Sequence, residues 1–411
     1  MDALLQRARQ LDADDPLKGF RERFELPDGL VYLDGNSLGA LPKATPARLQ
    51  SVVAREWGEG LIGSWNDADW VDLPRRLGDK IGRLIGAGKG ETLVCDSVSI
   101  NIFKALTAAL SLWPERAVIL TEEGNFPTDH YMMQGLARFS GGKIECRAVP
   151  REAVEDALTS DVAAVLLTHV HYQTGEMWDM AGVTARAHDA GALAIWDLSH
   201  SVGAMPLDLL GSQADFAVGC GYKYLNGGPG APAFLSVAER HQSAQIVLSG
   251  WFGHARPFAF EETYEPAGGI ERFQSGTPGI LGMAALESGV DLMLEADLGA
   301  VRAKSLGLGD LLIDAMLPVC EAYGFELVTP QDHSARGSHI SYRHENAYEI
   351  TQALIARGVV GDYREPGILR LGLTPLYTRY ADIVRAVMTL AEVCSKSSWD
   401  RDEYRVRGKV T

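Results

Sequence analysis

Four short stretches of this 411-residue chain hold side chains that could do chemistry together. The first is GCGYKYLNGGPGAPAFL, residues 219–235, where Lys223 sits between two tyrosines and ahead of a turn rich in glycine and proline. Read alone it fits a surface hairpin with an exposed lysine. A lysine held among apolar and aromatic neighbours instead has a depressed pKa, which suits Schiff-base chemistry. The second stretch is WDLSH, residues 196–200, with Asp197 and His200 at i and i+3; the plainer reading is a capping aspartate with an incidental histidine. The third, DSVSINIFKAL, starts at Asp96 and leads into a helix with Val98 and Ser99 in its first turn. Free N–H groups there make an anion site, though an ordinary capped helix looks the same. The fourth, NFPTD, residues 125–129, offers Phe126 as a ring face and Asp129 as a second carboxylate, or as a solvated first-turn carboxylate.

One cofactor asks for all of these groups at once. Pyridoxal 5′-phosphate (PLP) needs an amine for its aldehyde and a carboxylate to keep its pyridine nitrogen protonated. It also needs an aromatic face for the ring and donors for the phosphate. Asp197 and Lys223 are separated by about one strand–helix–strand excursion, which returns both to the same end of a sheet.

The elements that must position these residues follow from hydrophobic patterning. Short apolar runs predict strands over 117–121, 144–149, 162–167, 192–196 and 216–218, with helices over 127–139 and 183–190. Such alternation means βαβ units and an α/β fold with a mostly parallel sheet covered on both faces. Ligands in such sheets gather beyond the carboxyl ends of the strands, and the polar clusters fall there. After about residue 300 the pattern changes to a helix over 304–322, the segments FELVTP and GSHISYRH, and helices over 348–357 and 380–396. The expected division is an N-terminal segment, 1–60, packing with a small α+β domain at 301–411, and a large domain at 61–300.

Composition excludes several classes. Asp and Glu number 54 against 38 Lys and Arg, a net charge of −16, which argues against a nucleic-acid surface and a polybasic membrane anchor. No secretory pattern opens the chain and no apolar run is long enough to span a bilayer. Five scattered cysteines without a CxxC pair indicate neither a disulfide framework nor a zinc site, so a reduced, cytoplasmic protein is expected.

Together the clusters resemble fold-type I PLP enzymes of the class-V aminotransferase branch, as does RFQSGTPG at 272–279. A closer resemblance rests on YLDGNSLGA (32–40), EWGEGLIGSWNDADW (56–70), NFPTDHY, THVHYQTGEMWDM, AIWDLSHSVGA, GCGYKYLNGGPG, LSGWFGHARPF and GDYREPGILRLGLTPLYT. These are similar to the bacterial type of the kynureninase family, from about residue 20 to the C-terminus. The resemblance implies a seven-stranded sheet, PLP, and hydrolysis of L-kynurenine, or its 3-hydroxy form, to anthranilate or 3-hydroxyanthranilate and L-alanine in tryptophan catabolism. It implies a homodimer with active sites shared across the interface. In the family's pattern Lys223 carries the cofactor, Asp197 partners the pyridine nitrogen, and His200 lies beside the ring. Phe126 stacks on the ring and Asp129 is the second carboxylate near it. Tyr222, Trp251, Val98 and Ser99 match phosphate contacts, joined by Thr277 from the partner subunit; Tyr222 is also a candidate proton donor. The bacterial pattern has threonine where Val98 stands, which leaves the Val98 N–H and the Ser99 hydroxyl as donors. Arg370 matches the clamp on the substrate α-carboxylate, and Ser37 and Trp65 match positions near the aryl end.

Three other readings compete. A cysteine desulfurase or selenocysteine lyase of the same branch needs a reactive cysteine, and Cys320 is the late candidate, in a stretch that reads as an amphipathic helix with a structural cysteine. A non-catalytic relative would lose the lysine or the pyridine-binding aspartate, and both are present. His169 and His171 share one face of a strand in THVHY, but a metal site needs a third ligand, so none is expected.

Overall fold

The computed structural model describes residues 2–408. Its centre is a seven-stranded sheet in the order Thr92–Val94, Phe234–Val237, Phe216–Gly219, Leu193–Asp197, Val162–Thr168, Val118–Glu122, Glu145–Val149. The last five run parallel to one another. Val162–Thr168 and Leu193–Asp197 are buried at every position. That is why they read as unbroken apolar runs: a central parallel strand is covered on both faces. The FLSV segment, Phe234–Val237, has no such length and follows the Gly/Pro-rich turn, so its role as an antiparallel strand between Phe216–Gly219 and Thr92–Val94 emerges only in three dimensions.

The helices begin where local chemistry allows. Pro127 opens Pro127–Phe139, where its missing N–H costs nothing. The Asp179 carboxylate accepts from the Gly182 N–H at 3.1 Å and caps Met180–Asp189. The long helix starts at Leu298 and not at 304, because Asp297 caps it by accepting from Ala300 N–H at 2.6 Å.

A second sheet, of four antiparallel strands, has the order Glu326–Leu327, His339–Arg343, Ile368–Gly372, Asp362–Arg364. Its strands alternate with period two. Ile340, Tyr342, Leu369 and Leu371 enter an apolar cluster with the Leu298–Tyr323 and Tyr380–Ser395 helices. His339, Ser341 and Arg370 therefore lie on the opposite face, and Ser341 stands directly across from Arg370. The N-terminal segment touches both halves. Val31–Tyr32 pairs with Val359–Val360, and Asp12 accepts from the N–H groups of Tyr380 and Ala381 at 2.7 and 3.0 Å. The Thr45–Ser51 helix instead packs on Ile280–Leu294. Among the described residues no helix is long and apolar enough to cross a membrane.

Candidate active site

The carboxyl ends of the parallel strands meet at one pocket with a free volume of about 140 Å³. Asp197 ends Leu193–Asp197, Thr168 ends Val162–Thr168, and the loop after Val118–Glu122 carries Phe126. The turn after Phe216–Gly219 carries Tyr222 and Lys223. Ser97, Val98 and Ser99, at the start of the Val98–Leu112 helix, close the wall. Ser97 makes no capping bond with its side chain. The first-turn N–H groups thus face the pocket without that competitor.

The lysine turn is held from below by the YLDGNSLGA loop. Gly39 donates its N–H to the Tyr222 carbonyl at 2.8 Å. A Cβ at Gly39 would lie 2.3 Å from the Lys223 carbonyl oxygen, so only glycine permits this approach. Lys223 Nζ lies 3.0 Å from His200 Nε2 and 5.9 Å from the centre of the Phe126 ring.

Charge in the pocket is shaped by burial. Burial drives the Asp129 carboxyl well above its ordinary pKa, and the neighbouring Asp197 adds to this. Burial also raises Asp197, against the Ser199 N–H that it accepts at 2.8 Å. His200 is pushed far down by burial, then by the charges of Lys223 and Arg370. Asp129 Oδ1 and His200 Nδ1 are buried without a protein partner. An amine, two desolvated carboxyls, a ring face and an unfilled helix start fit PLP, whose pyridine N–H, ring and phosphate complement them.

Seven of the expected site residues line this pocket: Val98, Ser99, Phe126, Asp197, His200, Tyr222 and Lys223. Asp129 lies fully buried beside it, with Thr168 Oγ1 3.3 Å from Oδ2. Arg370 and Ser37 form an adjoining cluster. Arg370 Nε donates to Asp362 Oδ1 at 2.8 Å, its Nη1 to the Tyr172 carbonyl at 2.5 Å, and its Nη2 to Ser37 Oγ at 2.9 Å and to Asp362 Oδ2. Arg364 also reaches Ser37 Oγ, at 3.1 Å, and Asp362, at 2.7 Å. Ser37 is thus placed between two guanidiniums, those of Arg364 and Arg370. Burial would raise Asp362, but Arg370 and Arg364 hold it below its ordinary value. Asp34 beside it is raised to about 7 by burial and by Asp362.

Three expected residues do not reach the pocket of their own chain. Trp65 and Trp251 flank Phe252 in an aromatic cluster, with ring centroids 5.8 and 4.5 Å from it. Trp251 is 40% exposed. Thr277 lines a second cleft with residues 274–279, Cys95, Asp96, Gly230 and Pro232.

Tyr172, Asp362, Arg364 and His339 were not singled out by the sequence. Tyr172 lines the pocket and meets Phe126 edge-on at 5.2 Å. His339 meets His200 at 5.4 Å. The signal for Asp362 lay in GDYREPGILR, where a tight hairpin sets Asp362 across from Arg370. Cys320 sits in the Leu298–Tyr323 helix against the small-sheet core, away from the pocket, with its thiol raised by burial. His169 Nδ1 bonds Ser201 Oγ at 2.9 Å and His171 Nε2 bonds the Gly124 carbonyl at 2.8 Å; among the described residues no metal-binding group forms.

Comparison with known proteins agrees in kind. Residues 301–390 match the family model for the kynureninase C-terminal domain. A kynureninase of Burkholderia pseudomallei strain 1106a is 51% identical over 412 residues, covering 99% of both chains. One from Pseudomonas fluorescens is 50% identical over 409 residues, covering 98% of both. Among solved structures, a cysteine desulfurase from Thermococcus onnurineus NA1 superposes with a TM-score of 0.77 at 16% identity, over 92% of this chain and 98% of that one. At that identity the likeness speaks for the fold alone.

Proposed function

The chain belongs to the kynureninase family, and on that premise we propose that its reaction, PLP-dependent hydrolysis of L-kynurenine to anthranilate and L-alanine, takes place in the pocket around Lys223. The observation that carries this assignment is the convergence of Lys223, Asp197, His200, Phe126 and the start of the Val98–Leu112 helix on one cavity at the strand ends.

Bound there, PLP supplies an electron sink for the pair left on the substrate α-carbon when its proton departs. Lys223 would hold the cofactor aldehyde through Nζ and, when free, would take the proton from the substrate Cα. Asp197 would keep the pyridine nitrogen protonated. Phe126 would cover one ring face, and the N–H groups of Val98 and Ser99 with the Ser99 and Tyr222 hydroxyls would hold the phosphate. Arg370, placed by Asp362 and Ser37, would orient the substrate carboxylate as a charge-assisted donor. Water adds at the γ-carbonyl, and collapse of that hydrate breaks the Cβ–Cγ bond and frees anthranilate. Tyr222 or Lys223 delivers the proton that Cβ needs, and Lys223 returns one to Cα before alanine leaves.

The reading includes a homodimer. Trp57, Leu61 and Ile62 are 57, 61 and 81% exposed, and an apolar cleft lies between Val52, Trp57, Trp70 and Leu281. Trp65, Trp251 and Thr277 would cross a two-fold interface to serve the partner's pocket, with Trp65 presenting a flat face to the aryl group. A cytoplasmic location accords with the five cysteines, none of them in a disulfide.

The test is direct. PLP-loaded protein given L-kynurenine should release fluorescent anthranilate and an equal amount of alanine, and should release no sulfide from L-cysteine. Sulfide without anthranilate would overturn the reading.

A further inference from the structure

His171 does no chemistry in the proposed mechanism, yet it has the most fully specified hydrogen-bonding of any histidine near the pocket. Nε2 lies 2.8 Å from the Gly124 carbonyl, which can only accept, so that nitrogen carries the ring proton. Nδ1 is then an acceptor. It faces the backbone N–H of Gln173 at 3.3 Å, the N–H of Thr174 at 3.2 Å and the Thr174 hydroxyl at 3.2 Å. One neutral imidazole therefore joins two loops. The first, through Gly124, leads directly to Phe126. The second is a tight turn that presents Tyr172 and Gln173.

That turn also touches the other sheet. The Tyr172 carbonyl accepts from Arg370 at 2.5 Å, and the Gln173 carbonyl accepts from Ser341 Oγ. Gln173 Nε2 donates to the Glu365 carbonyl, and the Gly175 carbonyl accepts from Gly337 N–H at 2.7 Å. Tyr172 in turn packs edge-on against Phe126. The path from cofactor face to carboxylate clamp is thus Phe126, Gly124, His171, Tyr172, Arg370.

We propose that His171 is a positioning residue that fixes the distance between the Phe126 ring face and the Arg370 guanidinium, and so sets how the substrate carboxylate is seated relative to its α-carbon. The proposal rests on the reading of Arg370 as the carboxylate clamp. An imidazolium cannot play this part, because a proton on Nδ1 would meet two N–H donors head-on. The charged groups around His171 are Glu122, Arg151 and Glu176, with His339 across from the small sheet. Arg151 pairs with both carboxylates, at 2.9 and 3.0 Å, and offsets part of their pull on a His171 proton. Burial dominates and keeps the ring neutral.

The experiment uses PLP-loaded protein and three variants: His171→Leu, His171→Asn and Arg370→Gln. Asparagine can place an acceptor where Nδ1 stands and so keep the turn; leucine cannot. Each variant is assayed for KM and kcat with L-kynurenine, and for inhibition by the decarboxylated amine, which has no carboxylate to seat. His171→Leu should raise KM about five-fold or more, the scale of one lost buried hydrogen bond, with a smaller fall in kcat and little change in amine binding. His171→Asn should recover part of that loss, because it keeps the turn but leaves the Gly124 carbonyl without its Nε2–H donor. Because burial lowers His171, wild-type KM should hold steady through the ordinary histidine value of ~6.5 and climb only at lower pH, while KM of the asparagine variant should stay flatter there. Equal KM for the leucine and asparagine variants, or equal damage to amine and kynurenine, would overturn the proposal. Should the leucine variant fail to fold, the asparagine variant and the pH profile still decide it. Arg370→Gln separates the two readings. If it harms kynurenine selectively while His171→Leu does not, only this inference falls; if it harms both ligands equally, the clamp reading falls and takes this one with it.

Discussion

Lys223 Nζ lies 3.0 Å from His200 Nε2, inside a pocket where His200 is only 3% exposed. Burial and the charges of Lys223 and Arg370 hold that histidine well below its ordinary pKa, so it stays neutral. A neutral imidazole pairs with the amine as donor or acceptor according to its tautomer. The Lys223 amine is thus aimed by a fixed, uncharged ring.

Lys223→Ala should still bind PLP but lose kynurenine turnover. Borohydride reduction of the wild type followed by peptide mapping should place the cofactor on the GYKYLNGG segment. A label on any other lysine would remove the basis for the site.

Asp197→Asn should keep its fold and its cofactor and lose about a hundred- to a thousand-fold in kcat, the usual scale for removing one preorganised charge interaction. Single-turnover kinetics at saturating PLP would check this. Near-normal turnover would rule out a role for Asp197 at the pyridine nitrogen.

Much of this was legible because burial writes itself into sequence. Val162–Thr168 and Leu193–Asp197 announce themselves as apolar runs, and Asp197 ends a strand while Lys223 and Phe126 follow one, where α/β sheets keep their ligands. The Arg370 cluster was only half visible. Ser37 meets Asp362 across 325 residues of chain, and no local spacing encodes that contact. Tyr172 contributes a carbonyl as well as a ring, and a carbonyl has no sequence signature. Trp65, Trp251 and Thr277 are harder still, since they lie outside the Lys223 pocket of the chain and a motif does not say where the fold will carry it.

Arg370→Lys should raise KM for kynurenine by about ten-fold or more, because a lysine cannot reproduce the fork that spans Asp362, Ser37 and the Tyr172 carbonyl. Asp362→Asn should raise it less, by loosening the guanidinium without removing it. Steady-state kinetics with kynurenine and inhibition by the decarboxylated amine would check both. A larger effect at Asp362 than at Arg370 would reverse the assigned roles.

Stability should fall on acidification between about pH 6.5 and pH 4. Burial lowers the pKa of His169 to about 4 and also lowers His171, His200 and His339. As pH falls below the ordinary histidine value of ~6.5, the unfolded chain takes up protons that the folded chain refuses. The stabilisation is complete above that value and is lost as pH approaches the folded one. Asp129 and Asp197, raised by burial, act in the opposite sense and lose stability as pH rises. The informative measurement is therefore a comparison: thermal melts of His169→Gln should show a shallower acid slope than wild type. An unchanged slope would remove His169 from the account.

Mixed dimers test the shared site. Lys223→Ala and Thr277→Glu should each be nearly inactive alone, the second because it sets a negative charge against the phosphate. After subunit exchange, roughly one quarter of all sites should be intact on both sides. Activity should rise well above either parent, with exchange verified by mass spectrometry of tagged chains. Mixed dimers that form and stay inactive would confine Thr277 to its own chain.

The grip of Asp362 on Arg370 bears on how fast the enzyme can let go. Kynurenine and alanine carry the same α-carboxylate, so every increment of affinity gained there is gained equally by a product that must leave. Such uniform binding lowers KM without raising kcat. With Nε and Nη2 on Asp362 and Nη1 on the Tyr172 carbonyl, Arg370 would meet a substrate carboxylate in a fixed pose and with its charge partly spent. The same restrained hold would apply to alanine, so a carboxylate that seats the clamp would also shorten the product's stay.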